Sequence, residues 1–376
     1  MKRVRRLSKS KVTTPKERAQ PDAGTIVAAS PQLGVGQSFD PEAAVLYGRF
    51  VQAAYSMYNA APNNLTPPPI DFPEDYDLVA WVQMQDFIVG STGQTFYGLI
   101  AQSTADPNRF VLAIRGTSNA VEWWDDVNAA LRIPFKVPGC GTVGAGFARI
   151  YDTLEVIERP TGTAPTEIAP QSLRSIPGLS DRTFSQQVAH LVARHAPATA
   201  VAQHAPATAR AGLAPSASIE ITGHSLGAAL ATLYTLENAY TGKIKNPALC
   251  TFASPAVGDS TFAAAFNGLG LTSWRVVNAP DLVPKLPPQI LGFTHVDSLQ
   301  QYSSTGKVTP SPLCWHSLAT YLSLIDGTLQ PDPSCRLPIS ITAVPLAAAS
   351  RPTAATTLSV PAGPVTVNIT VNLGQS

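Results

Sequence analysis

The sequence predicts an α/β fold in which a mostly parallel sheet is covered by helices on both faces, and three observations predict it. From "SIEIT" at 218–222 onward, strand-like and helix-like segments alternate at 228–240, 248–254, 260–268, 273–278 and 316–326, the pattern that parallel strands joined by helical crossovers require. Hydrophobic residues make up 44% of the chain and charged residues only 14%, enough apolar material for a large buried sheet. The stretch "ITGHSLGAALATL" at 221–233 joins a strand to an alanine-rich helix through two glycines and a serine, a join typical of parallel sheets. At 376 residues, one large domain with ragged ends is expected, since α/β folds often run past roughly 250 residues as a single unit.

The elements follow in order. Residues 1–37 lack periodicity and read as a basic flexible arm; residues 38–336 read as the folded domain. "SFDPEAAVLYGRFVQAAYSMY" opens that domain with a helix, Asp40 as N-cap and Pro41 at the first helical position. Its apolar residues Leu46, Phe50, Ala54 and Met57 fall on one helical face. "NNLTPPPIDFP" is a connector, "LVAWVQMQ" and "TFYGLIAQ" read as paired strands, and "RFVLAI" at 109–114 follows a turn as the next strand. "DRTFSQQVAHLVARHA" spaces Phe184, Val188, Leu191 and Val192 as an amphipathic helix. "HAPATA" then occurs twice, at 195–200 and 204–209, and its prolines place the duplication in a loop. Residues 337–376 alternate apolar and polar with period two in "LPISITAV" and "PVTVNITVNL", as added edge strands or a partly ordered extension would.

Charge is uneven along the chain. The first 20 residues hold eight Lys and Arg and one Glu, whereas the whole chain holds 26 and 25, so the remainder is acidic. The arm reads as a solvated start, and no nucleic-acid partner is expected. No apolar run follows those basic residues, so no secretory signal of the general type is visible; a cytoplasmic protein and export by another route both stay open. No stretch reaches the roughly 18–20 apolar residues of a membrane span, and a soluble chain is expected. Of the four cysteines, Cys250 lies in a strand-like run, and Cys314 and Cys335 bracket a predicted helix that an oxidising compartment could see bridged. None has metal-site spacing, and neither metal nor organic cofactor is expected. The oligomeric state is open.

In "GHSLG" the glycines Gly223 and Gly227 flank His224, Ser225 and Leu226. Removing two Cβ atoms lets a strained turn project the serine hydroxyl above the sheet, with the following helix aiming its N-terminus at a developing anion. A hydroxyl needs a base and an orienting carboxylate to become a nucleophile. With the chain order serine, acid, histidine, the histidines beyond the elbow are His295 and His316, because His190, His195 and His204 precede it. The acids beyond it include Asp259, Asp281, Asp297 and Asp326. Asp281 follows the strand-like "WRVVN" in a proline-stiffened loop, whereas Asp259 suits the N-cap of "STFAAAF".

Six blocks occur in an order that resembles the class 3, fungal-type triacylglycerol lipase family: "RFVLAIRGTSN", "VGAGFARIYDTL", "ITGHSLGAALATL", "TFASPAVGD", "RVVNAPDLVPKLPP" and "WHSLATYL", over about residues 40–326. The resemblance implies an α/β-hydrolase fold with a short helical lid, Ser225 as nucleophile, Asp281 as acid and His316 as base. His295 in "GFTHVD" matches a recurrent non-catalytic histidine of that family. The implied oxyanion donors are Thr117 and the N–H of Leu226, with Arg115 and Gly116 supporting the turn. "NAVEWWDDVNAAL" stands where the family has its lid, Trp123 matching the lid tryptophan, with Trp124 and Val127 on an apolar side. One block departs: Gly144 in "TVGAGF" stands where a histidine is common, which puts local support of the oxyanion loop in doubt.

The implied activity is serine-dependent hydrolysis of lipid esters, most simply of triacylglycerol at an oil–water interface. Short-chain carboxylesterase, phospholipase and feruloyl esterase are the alternatives within the chemistry, since specificity lies in the pocket and not in the fold. A non-catalytic binding module would need none of these residues. Trypsin-like proteases share the glycine–serine pattern but place the serine last, so the order here excludes them.

Overall fold

The helix over Pro41–Ala60, here α1, begins where its sequence says: Asp40 accepts a hydrogen bond from the Ala43 N–H at 3.1 Å and Pro41 takes the first helical position. The structure is a computed structural model that describes residues 38–85, 93–117, 131–160, 170–175, 182–197, 217–241, 244 and 247–338. The basic arm, the lid segment with Trp123, Trp124 and Val127, most of the duplicated loop and all but the first two residues of the C-terminal extension lie outside the described residues.

Among those residues, nine strands make one sheet: β1 (Tyr76–Gln85), β2 (Gln94–Ser103), β3 (Arg109–Ile114), β6 (Glu155–Glu158), β7 (Gln171–Ser172), β8 (Ser218–His224), β9 (Ala248–Phe252), β10 (Thr272–Asn278) and β11 (Leu299–Tyr302). A two-stranded ribbon of β4 (Arg132–Pro134) and β5 (Thr142–Gly144) stands beside it. The order is β11-β10-β9-β8-β3-β2-β1-β6-β7, and only β2 and β6 run against the rest. This is the α/β-hydrolase arrangement, a mostly parallel sheet with an antiparallel wing that holds the two reversed strands.

Strands buried on both faces read as continuous apolar runs. In β3, Phe110, Leu112 and Ile114 point into one core while Val111 and Ala113 point into the other. The first core is closed by α2 (Ala145–Tyr151), α3 (Phe184–His195) and α4 (Leu226–Thr241); the second by α1 and α7 (Leu318–Ile325). α3 starts in a capping box, with Thr183 and Gln186 bonding each other's backbone. α4 is buried from Leu226 to Asn238, and its alanines let the helix lie close on the sheet.

Two helices of the second half complete the frame: α5 (Ser260–Asn267), capped by Asp259, and the short α6 (Pro312–His316), capped by Ser311. Cys314 and Cys335 form a disulfide that ties α6 to the end of the described domain, while Cys140 and Cys250 are free and buried. No helix among the described residues is long and apolar enough to cross a membrane.

The parallel register matters most for chemistry. Ile114 pairs with Gly223, His224 with Phe252, and Phe252 with Val276, so the carboxyl ends of four neighbouring strands finish at one level. Loops leaving that level at 115–117, 225 and 279–283 therefore converge, as ligand-binding loops of open α/β sheets do.

Candidate active site

The elbow is tighter than its sequence suggests. A five-residue turn is the sequence expectation for 223–227, but β8 runs to His224 and α4 begins at Leu226, which leaves Ser225 as the whole turn. Ser225 sits at φ 58°, a left-handed conformation that costs a non-glycine residue about 1 kcal/mol or more. Its N–H bonds the Phe252 carbonyl at 3.0 Å, which holds it there. The glycines make this turn possible by close approach and not by unusual backbone angles. A Cβ on Gly223 would stand 2.4 Å from the Gly227 carbonyl, and one on Gly227 would stand 2.2 Å from the Ile114 carbonyl.

Asp281 and His316 come together from separate loops. His316 Nδ1 lies 2.8 Å from Asp281 Oδ2, both side chains buried. The same Oδ2 accepts from the Tyr321 hydroxyl at 2.7 Å, and Oδ1 accepts from the Val283 N–H at 3.0 Å. Burial and then the neighbouring Asp281 charge push the Tyr321 hydroxyl well above its ordinary pKa, so it stays a donor. With the carboxylate ionised, Nδ1 of His316 carries the proton and Nε2 presents a lone pair. That Nε2 is buried and bonds nothing among the described residues.

Neighbouring groups fix His316 further. His224 Nε2 lies 2.8 Å from the His316 carbonyl, with ring centroids 4.7 Å apart. The Asn278 amide donates to the Trp315 carbonyl at 2.7 Å and to Ser304 Oγ at 2.8 Å, which ties the end of β10 to the residue before His316.

Thr117 lies at the end of the turn that leaves β3, and its hydroxyl is buried and unbonded among the described residues. Leu226 is the first residue of α4, so its N–H is one of the four that a helix leaves free. Gly116 is needed for close approach: a Cβ there would stand 2.7 Å from Tyr55 Oη and 2.8 Å from Ser225 Cβ. Arg115 is buried with its guanidinium between the Tyr58 and Tyr97 rings, 3.6 and 4.0 Å from their centroids. It donates to the Phe96 carbonyl and, at 2.7 Å, to the Gly116 carbonyl, so it braces the turn.

The alternatives are occupied elsewhere. His295 bonds the Pro284 carbonyl at 2.7 Å; burial and then the Arg275 charge lower its pKa to about 4, so it is neutral. It supports the loop after Asp281 from behind. Asp259 caps α5 through the Phe262 N–H at 2.9 Å and bonds the Thr142 N–H and hydroxyl. Partial burial opposes its ionisation, yet these donors and Arg132 hold its pKa below the usual value. Asp326 accepts from Thr328, and Asp297 is exposed. Gly144 packs where a Cβ would meet the Phe147 ring at 2.8 Å, and its N–H bonds the Val257 carbonyl at 3.0 Å. Among the described residues no cluster of three or more His, Cys, Asp and Glu could hold a metal ion.

Residues 111–291 match the model of the lipase (class 3) family. Over this stretch, just under half of the chain, the sequence is similar to class 3 lipases. Among curated relatives, Phospholipase A1-II 3 of Oryza sativa subsp. indica is 34% identical over 231 residues, 58% of this chain and 49% of the relative. Phospholipase A1-IIgamma of Arabidopsis thaliana is 38% identical over 125 residues, 30% of this chain and 29% of the relative. The chain spans about half the length of the first of these relatives. Lipase II from Rhizopus niveus superposes with a TM-score of 0.47 at 20% identity, over 69% of this chain and 80% of that one.

In the sequence the GxSxG pattern marks Ser225, the downstream order leaves two histidines and several acids open, and the family resemblance is what singles out Asp281 and His316, the latter beyond the matched residues 111–291. Tyr55, Tyr321 and Asn278 escape sequence reasoning, because an isolated tyrosine or asparagine in an apolar helix or strand reads as core. The position of Asn278 at the end of "WRVVN", three residues before Asp281, is the one signal that could have marked it.

Proposed function

We propose that this chain hydrolyses carboxylic esters of lipids through an acyl-enzyme. Ser225 Oγ attacks the ester carbonyl carbon while its proton passes to His316 Nε2. The carbonyl π electrons move to oxygen, which accepts from the Leu226 N–H and from Thr117. Collapse of the tetrahedral species breaks the carbon–oxygen bond to the alcohol, and His316 returns the proton to the departing alkoxide. Water then repeats the sequence on the acyl-enzyme, which releases the fatty acid and restores Ser225. Asp281 holds the His316 ring and stabilises its transient positive charge. The observation that carries this reading is a buried histidine whose one nitrogen is held by a carboxylate and whose other is bare among the described residues, its carbonyl bonded by His224, the residue that precedes a serine in a strained turn.

For substrate we favour neutral glycerides. A cavity of about 330 Å³ beside His316 and Thr117 is lined by neutral side chains and the carboxylate of Asp332 among the described residues. A lipid phosphate would gain most from a basic partner. A phospholipase A1 reading is favoured by the names of the relatives instead. Purified protein assayed on emulsified triacylglycerol, on phosphatidylcholine vesicles and on p-nitrophenyl esters of rising acyl length separates the two. Fatty acid released faster from vesicles than from the emulsion overturns the glyceride preference, and no hydrolysis of any ester overturns the enzyme reading.

Thr117→Val removes a hydroxyl while keeping the shape. If that hydroxyl serves the oxyanion, kcat falls by roughly 10²–10³ with little change in KM, because the charge exists only near the transition state. A change confined to KM counts against the role.

A further inference from the structure

The glycine–serine pattern leaves the residue before the serine free, yet His224 is buried and uses both ring nitrogens. We infer that His224, together with Tyr55, is a positioning device that locks the oxyanion turn, the elbow and the His316 backbone into one relation. The inference rests on the ester-hydrolase reading.

The hydrogen bonds admit one direction only. The His316 carbonyl can only accept, so His224 Nε2, 2.8 Å away, carries the proton. A neutral imidazole then has a bare Nδ1, which must accept, and the Tyr55 hydroxyl lies 2.9 Å from it. Tyr55 can donate there because its oxygen already accepts, at 2.8 Å, from the Gly116 N–H. Gly116, Tyr55, His224 and His316 are thus joined head to tail, with Thr117 one residue beyond one end and the base at the other.

A second proton on His224 would reverse this link: Nδ1–H would then take the Tyr55 oxygen as acceptor, and the Tyr55 O–H would have to turn away and lose the partner it has on His224. The surroundings oppose that proton. Burial first, and then the His316 charge, hold the His224 pKa well below its ordinary value, against the smaller pull of the His316 carbonyl. The groups facing it are Tyr55, His316 and the ring of Tyr321, centroid 6.1 Å away, with Asp281 behind His316. Burial holds the Tyr55 hydroxyl up to about 12, so it remains a donor throughout the working range.

The consequence is kinetic. A shift of about 1 Å in a catalytic group costs up to roughly 10²-fold in rate, and here a broken chain would loosen the base and the oxyanion turn together. The test uses Tyr55→Phe, His224→Phe and the double variant in the full chain. Active sites are counted by the burst of p-nitrophenol from a p-nitrophenyl alkylphosphonate, and kcat is expressed per counted site on p-nitrophenyl butyrate and on tributyrin. We expect each single variant to lose about 10–100-fold in kcat per site with KM nearly unchanged, and the double variant to lose no more than His224→Phe alone. The loss should be larger on tributyrin, because an alkoxide needs the proton from His316 whereas nitrophenolate leaves without it. A merely structural role lowers the number of sites and spares the rate per site. Rates per site within twofold of the unmodified protein, with Tyr55→Phe alone deciding if His224→Phe does not fold, overturn the inference. An unmodified protein that gives no burst and hydrolyses neither ester overturns the ester-hydrolase reading beneath it.

Discussion

Ser225→Ala is expected to lower kcat by about 10⁴–10⁶ and to abolish labelling by a fluorophosphonate, and His316→Ala to cost a similar factor. The two replacements remove parts of one proton-transfer unit, so combining them should cost little more than either alone. Without Nε2 the hydroxyl keeps its proton and is a poor nucleophile; without the hydroxyl the base has only water to activate. Folding should survive in both. Alanine at 225 keeps the backbone hydrogen bond to Phe252 and carries the same left-handed φ as the serine. Kinetics on a soluble ester, with circular dichroism as the control for folding, check the expectation. Near-normal activity in His316→Ala, with loss in His295→Ala, would instead identify His295 as the base, against its neutral, carbonyl-bound state.

Asp281→Asn is the second large effect, expected at about 10³–10⁴ in kcat with KM nearly unchanged. The amide can place its NH₂ toward His316 Nδ1, and the ring then carries its proton on Nε2, the nitrogen that should take the serine proton. Its oxygen would still face the Val283 N–H, so the buried Tyr321 hydroxyl, which now meets the NH₂, loses its acceptor. Some loss of stability should accompany the loss of rate, of the order of 1–3 kcal/mol. Asp281→Ala removes the wrong-tautomer lock as well as the charge. It should therefore be no more damaging to kcat than the asparagine variant, although less stable. An asparagine variant at full activity would remove Asp281 from the mechanism and reopen the choice among the downstream acids.

Much of the fold was legible in the chain because its signals are local. Asp40 with Pro41 sets the start of α1, the continuous apolar run in "RFVLAI" marks a buried strand, and "DRTFSQQVAHLV" shows its own helical face. The elbow was legible for the same reason, since the two glycines record a steric need within five residues. The length of the turn was not. Only the approach of Gly227 to the Ile114 and Arg115 carbonyls, on a strand more than a hundred residues earlier, reduces it to Ser225 alone.

What the sequence by itself determined is the type of sheet, the order of its crossovers and the short set of histidines and acids that could serve one serine, because periodicity, caps and chain order are properties of neighbouring residues. The tertiary structure decided which of them meet. The common level at which β3, β8, β9 and β10 end brings Asp281 within 2.8 Å of His316 while turning His295 toward Pro284 and Asp259 toward α5. It also recruits Tyr55, Tyr321 and Asn278, whose hydroxyl and amide groups gain a partner only once helices from opposite ends of the chain pack on the same sheet face. A hydrogen bond is short-ranged and directional, so no pattern along the chain encodes it until packing has brought donor and acceptor together.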